Sequence, residues 1–93
     1  MQENFKTVKR KYFIKKVGEL IKEIRIKNKK VTIYQITNKY DIDKGTLSKI
    51  ERGLQNCQFV NLWKISEALG IKCSDLVKIL EEELGEDFKL MDE

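Results

Sequence analysis

Between residues 12 and 84 the apolar side chains recur three and four positions apart, in five short blocks, each bounded by a capping residue or a glycine. That spacing lines up one face of an α-helix and commits the chain to packed helices rather than strands. Phe13, Val17, Leu20, Ile21 and Ile24 form the first stripe, which runs to about Asn28 before Lys29 and Lys30 turn the chain. Thr32 is an N-cap for a shorter second helix carrying Ile33, Ile36 and Tyr40. Asp41 sits at a tight turn, and Asp43 caps a third helix marked by Leu47 and Ile50 and closed by Gly53. After a polar loop at 54–58, Phe59, Leu62, Ile65 and Leu69 define a fourth helix, stopped by Gly70. Phe59 and Trp63 are expected to share its buried face. Ser74 is the expected cap of a fifth helix built on Leu76, Val77, Leu80 and Leu84, ending near Gly85. With no proline anywhere, nothing interrupts these helices from within.

At 93 residues, 41% of them hydrophobic, the chain has material for one core and not two. The expected organisation is a flexible basic arm at 1–11, a single all-α domain at 12–85 and an acidic tail at 86–93. Tyr12 and Phe13 either extend the first helix into the core or lie on a partner.

Several function classes are poorly supplied. There is no histidine, and Cys57 and Cys73 form no C-x-x-C pair, so neither a metal site nor a cofactor is expected. Serines and threonines lack the usual general base, which argues against an enzyme. The absence of a 7–15-residue apolar run argues against a signal peptide or membrane span and leaves a cytoplasmic protein with reduced thiols as the expectation. Charge is unevenly spread. Residues 1–30 carry a net +8, residues 31–73 a net +2 and residues 74–93 a net −6. A basic front suits a polyanion, and an acidic end should point away from it.

The second and third blocks are the most informative. Two short helices joined by a three- to four-residue turn make a helix-turn-helix, whose second helix can enter the DNA major groove. Ile36, Tyr40, Ile42, Leu47 and Ile50 supply the apolar faces that pack the two helices together. The other side of the third helix is left with Lys44, Gly45, Thr46, Ser48, Lys49 and Arg52, small or cationic groups suited to base edges and phosphates. On an arbitrary helix Lys44 and Lys49 would be read as solvated lysines; inside this motif they are read as contacts to nucleic acid.

The stretch DKGTLSKIERG at 43–53, preceded by VTIYQITNKYDI and followed by FVNLWKISEALGI, resembles the phage-repressor (Cro/C1, XRE-type) helix-turn-helix family. The resemblance extends from about Val17 to Leu80, with one extra residue in the turn at Lys29 and Lys30. It implies a compact five-helix, lambda-repressor-like domain and a sequence-specific transcription regulator, more often a repressor, that reads the major groove with residues 43–52. Carried over by position, Lys44, Gly45, Thr46, Ser48 and Lys49 fall where base edges are touched. Thr32, Tyr34, Gln35, Arg52, Gln55 and Asn56 fall where phosphates are gripped. Glu51 matches the family's structural glutamate, paired with Arg25 of the first helix.

Four positions depart from the family pattern. Ile33 stands where glutamine commonly steadies a phosphate, and Thr37 replaces a small alanine. Asp41 replaces the turn glycine, and Asp43 places a carboxylate near the DNA backbone in place of serine or threonine. The resemblance further implies a homodimer on a palindromic operator, with half-sites about 34 Å apart. Val77, Leu84, Phe88 and Met91 are the expected dimer seam. The rival reading is an antitoxin-like or anti-repressor module whose main role is to hold a partner protein, motivated by Ile33 and by Phe88, Leu90 and Met91 in the acidic tail.

Overall fold

Five helices are present in the computed structural model, which describes residues 5–28 and 31–91: α1 (Phe5–Lys27), α2 (Ile33–Lys39), α3 (Lys44–Glu51), α4 (Phe59–Leu69) and α5 (Cys73–Leu84). Among the described residues there is no strand. The architecture is the all-α, lambda-repressor-like one, with α2 and α3 forming a helix-turn-helix. Residues 1–4 of the basic arm and the turn residues Lys29 and Lys30 lie outside the described residues.

The core gathers the periodic positions of every helix. Val17, Leu20 and Ile21 of α1 meet Ile36 of α2, Leu47 and Ile50 of α3, Ile65 and Leu69 of α4, and Leu76 and Leu80 of α5, with Ile42 buried in the turn. Burying side chains of this size stabilises the fold by about 1.5–3 kcal/mol each, offset by the entropy of ordering the chain. α1 crosses α3 at close range. Gly18 lies against the backbone of α3, where an added Cβ would run into the carbonyl oxygen of Ile50. Nothing in the apolar spacing of α1 signals this, because the signal is an absent side chain.

Three boundaries or burials differ from the sequence reading. α1 begins at Phe5, about two turns ahead of Tyr12, so the basic stretch from residue 5 to residue 11 is helical. The charged residues there lack apolar periodicity, yet helix propagation from an established α1 adds one hydrogen bond per residue ordered. α5 begins at Cys73, with Lys72 in the N-cap position and no side-chain cap, so Ser74 lies inside the helix rather than capping it. Phe59 and Trp63 are not core residues: they are 67% and 53% exposed. Leu62, Ile65 and Leu69 already fill the inward face of α4, and Phe59 and Trp63 lie to one side of that stripe.

After α5, Gly85 adopts φ 89° and turns the chain back toward α1. Phe88 then stacks on Phe13, with ring centroids 6.2 Å apart, and tilts against Tyr12 at 5.9 Å. Tyr12 and Phe13 therefore pack within the chain. No helix among the described residues is long and apolar enough to cross a membrane.

Candidate nucleic-acid interface

The turn between α2 and α3 is set by local chemistry. Thr32 and Gln35 form a capping box: the Gln35 amide donates to the Thr32 hydroxyl oxygen at 3.1 Å, and the Thr32 amide donates to the Gln35 side-chain oxygen at 2.9 Å. Asp41 takes φ 53°, a left-handed turn conformation that aspartate tolerates better than most residues. Lys64 of α4 donates to the Asp41 carbonyl at 3.3 Å and ties the turn to the body of the domain. The Asp43 carboxylate then accepts from the Thr46 amide at 3.0 Å and from its hydroxyl at 3.4 Å. This is the N-cap of α3, and it holds one carboxylate oxygen on the helix itself.

With α3 started in this way, its two sides separate cleanly. Leu47 and Ile50 are fully buried against α1 and α2, which anchors the helix. Lys44, Gly45 and Lys49 are exposed, and Thr46 and Ser48 half-buried, so one cationic, small-residue surface faces outward. A side chain at Gly45 would press on the Asp43 carboxylate, with a built Cβ 3.1 Å from Oδ2, so glycine also leaves the cap undisturbed.

Glu51 is buried at the end of α3, where it receives Arg25 in a bidentate pair: Nε donates to Oε2 at 2.7 Å and Nη2 to Oε1 at 2.9 Å. Hydrogen bonding to Glu51 outweighs desolvation and raises the Arg25 pKa above its ordinary value. The planar fork fixes the orientation of α3 against α1, which a lysine could not do.

The residues expected at phosphates occupy two places. Thr32, Tyr34 and Gln35 are exposed at the start of α2, although the polar side chains of Thr32 and Gln35 are engaged in the capping box. Ile33 is half-buried and packs on the core. Arg52 and Asn56 are exposed and Gln55 half-buried after α3, with Arg52 Nε also reaching the Ser48 carbonyl at 3.4 Å. Sequence reasoning missed what lies beside Arg52. Gly53, at φ 74°, packs on Lys15 of α1, and a shallow groove there is lined by Arg10, Lys11, Lys15 and Arg52. Four cations from two distant parts of the sequence thus meet at the end of α3. The helical extension of α1 brings them together, and no local pattern announces it.

Of the residues expected at a dimer seam, Val77 and Leu84 are half-buried, Phe88 is stacked on Phe13, and Met91 is 65% exposed. Around Leu84 and Phe88 lie Glu81, Glu82 and Glu86. Both cysteines are free. Burial pushes the half-buried Cys57 thiol up to about 11, with a smaller contribution from Cys73. Among the described residues no group of acidic, cysteine or histidine side chains is placed to hold a metal ion.

Comparison with known proteins agrees with this geometry. A helix-turn-helix family model matches residues 21–76, which contain the whole of α2, α3 and α4 and the first residues of α5. Control protein C.MunI of Mycoplasma sp is 35% identical over 66 residues, covering 71% of this chain and 89% of its own. Control protein C.BamHI of Bacillus amyloliquefaciens is 32% identical over 60 residues, covering 64% of this chain and 74% of its own.

Proposed function

The chain belongs to the XRE/Cro-C1-type helix-turn-helix family of DNA-binding transcription regulators, and from that premise we propose that it recognises a specific operator by laying α3 in the major groove. The observation that carries this reading is the division of α3, with Leu47 and Ile50 anchored in the core and Lys44, Gly45, Thr46, Ser48 and Lys49 presented outward. Base edges would be read by Lys44, Thr46, Ser48 and Lys49, while Gly45 lets the start of the helix approach the base pairs. Tyr34, Arg52, Gln55 and Asn56 would hold the backbone on either side, with Thr32 and Gln35 contributing whatever the capping box leaves free.

The protein acts in the cytoplasm as a repressor and has no catalytic role. Two copies bind a palindrome, as the spacing of successive major-groove segments on one DNA face favours. The two similar proteins are control proteins by name, which is in keeping with a regulatory role. The rival reading, in which holding a partner protein is the main role, loses one of its grounds: Phe88 is spent on Tyr12 and Phe13 within the chain.

Selection of the purified protein against random duplex DNA at physiological salt tests the proposal. Recovery of a palindromic sequence is the expected outcome. A featureless bound pool, with affinity that collapses as salt rises, would refute specific reading and leave charge attraction alone.

A further inference from the structure

Arg10, Lys11 and Lys15 of α1 and Arg52 at the end of α3 line one groove of about 620 Å³, with Ile14 and Leu54 as apolar walls and no carboxylate in the lining. Arg10, Lys15 and Arg52 are exposed, and none of the three has an ion pair among the described residues. Like charges gathered around one recess repel one another, and a bound anion relieves that repulsion. The groove is also held in shape. Gly53 ends α3 in a left-handed turn at φ 74°, closed by two hydrogen bonds: the Gly53 amide donates to the Ile50 carbonyl at 3.0 Å, and the Leu54 amide to the Lys49 carbonyl at 2.9 Å. Its missing side chain lets the turn lie on α1, where a built Cβ would come 3.0 Å from Lys15 Cα. Phe88, packed on Tyr12 and Phe13, pins the same stretch of α1.

We propose that this cationic groove grips the phosphate backbone of duplex DNA beside the bases that α3 reads, and so lengthens the contact beyond the helix-turn-helix. For that place beside the read bases the inference rests on the proposed DNA reading. With its eight residues, α3 is about 12 Å long, comparable with the roughly 12 Å width of the major groove. When its first residues touch base edges, its far end at Arg52 arrives at the rim of the major groove, where a backbone strand runs. Arg52 belongs to both surfaces, so a strand held there passes the mouth of the cationic groove.

The grip comes from outside the matched motif. α1 begins at Phe5, whereas the helix-turn-helix family model matches from residue 21, so Arg10 and Lys15 add to the motif rather than belong to it. It also makes good a weak hold elsewhere. At the start of α2, Thr32 and Gln35 have committed their side chains to the capping box, and Ile33 packs on the core. Arg10 and Lys15 supply the missing contacts in different ways. The planar guanidinium of Arg10 can take two phosphate oxygens at once, while the Lys15 ammonium acts as a point charge. Ile14 and Leu54 offer the apolar surface against which a deoxyribose between two phosphates can lie.

Affinity for the operator recovered by selection, measured as a function of salt, tests the inference. Each phosphate held contributes about 0.9 to the slope of log affinity against log salt. Arg10→Ala and Lys15→Ala should each lower that slope by about one per bound copy, and together by about two, with affinity down about tenfold or more at physiological salt. Base preference in competition should match that of the natural protein, and helicity should be kept, since alanine favours a helix. Arg10→Lys should retain the slope, and so should Lys78→Ala, which removes a charge from the groove lined by Glu81 and Glu82. Hydroxyl-radical footprints of the double variant should lose protection at the flanking backbone alone. A double variant with the natural slope and footprint, or a Lys78→Ala variant that loses as much, would overturn the proposal. So would a loss seen only on single-stranded RNA or on vesicles of anionic phospholipid, which would assign the groove to another polyanion. If selection recovers no operator, the reading of α3 falls, while the same slopes measured on arbitrary duplex DNA still decide the groove.

Discussion

Replacing Gly18 with alanine sets two well-understood effects against each other at the crossing that positions α3. Intrinsic helix propensity favours the change by about 1 kcal/mol, because glycine within a helix is entropically costly. Packing opposes it. The new methyl group would meet the carbonyl oxygen of Ile50, with the carbonyl carbons of Ile50 and Glu51 only 3.1 and 3.2 Å from the Cβ position. All three are backbone atoms of a helix end, so none can rotate aside, and α1 and α3 must move apart. Overpacking of this kind costs about 3 kcal/mol, the upper part of the usual range. The net expectation is a loss of about 2 kcal/mol, or roughly 8–16 °C in Tm for a domain of this size. Thermal unfolding followed by circular dichroism measures it directly. DNA affinity should fall as well, below the unfolding transition, because the displaced helix is the one that carries Lys44 and Lys49. A Gly18→Ala protein as stable as the natural one, or more so, would mean that propensity wins and that α1 and α3 are not in backbone contact.

Glu51→Ala leaves a half-buried Arg25 guanidinium without its partner and should cost about 2 kcal/mol in denaturant unfolding. Glu51→Gln should cost less, and equal losses would argue that packing rather than charge holds the pair. Lys49→Ala should cost about 1–3 kcal/mol of discrimination and relax preference at one base pair, read by competition between operator variants. An unaltered preference would remove Lys49 from base reading. Cys57 should be alkylated far more slowly than Cys57 in the unfolded chain near neutral pH, since its thiol is raised from 9.0 to about 11. A raised thiol pKa means that the native state holds its proton more tightly. Its contribution to stability is therefore complete below pH 9 and lost as pH rises toward 11. Equal alkylation rates with and without urea would contradict that burial.

The class of fold is legible in the apolar periodicity alone. Periodic apolar residues placed Leu20, Ile21, Ile36, Leu47, Ile50, Ile65 and Leu76 inside, because a helix with one greasy stripe has only one way to bury it. The sequence also marked the helix ends at Thr32, Asp43 and Gly70, where capping is a matter of local hydrogen bonding and left-handed backbone. The outward face of α3 followed from the same periodicity, since whatever is not in the stripe is left to solvent or DNA. Features that depend on distant parts of the chain meeting emerge only once the helices are packed. Periodicity counts apolar residues without knowing how many a helix can bury, so it assigned Phe59 and Trp63 to a face that Leu62, Ile65 and Leu69 had already filled. Nor does it see a glycine whose value lies in the neighbour it admits, as at Gly18 against Ile50. The cationic groove shared by Arg10, Lys15 and Arg52, and the return of Phe88 onto Phe13, are likewise contacts across more than thirty residues. Local pattern specifies which side of a helix is buried; only the assembled fold specifies what each exposed side comes to face.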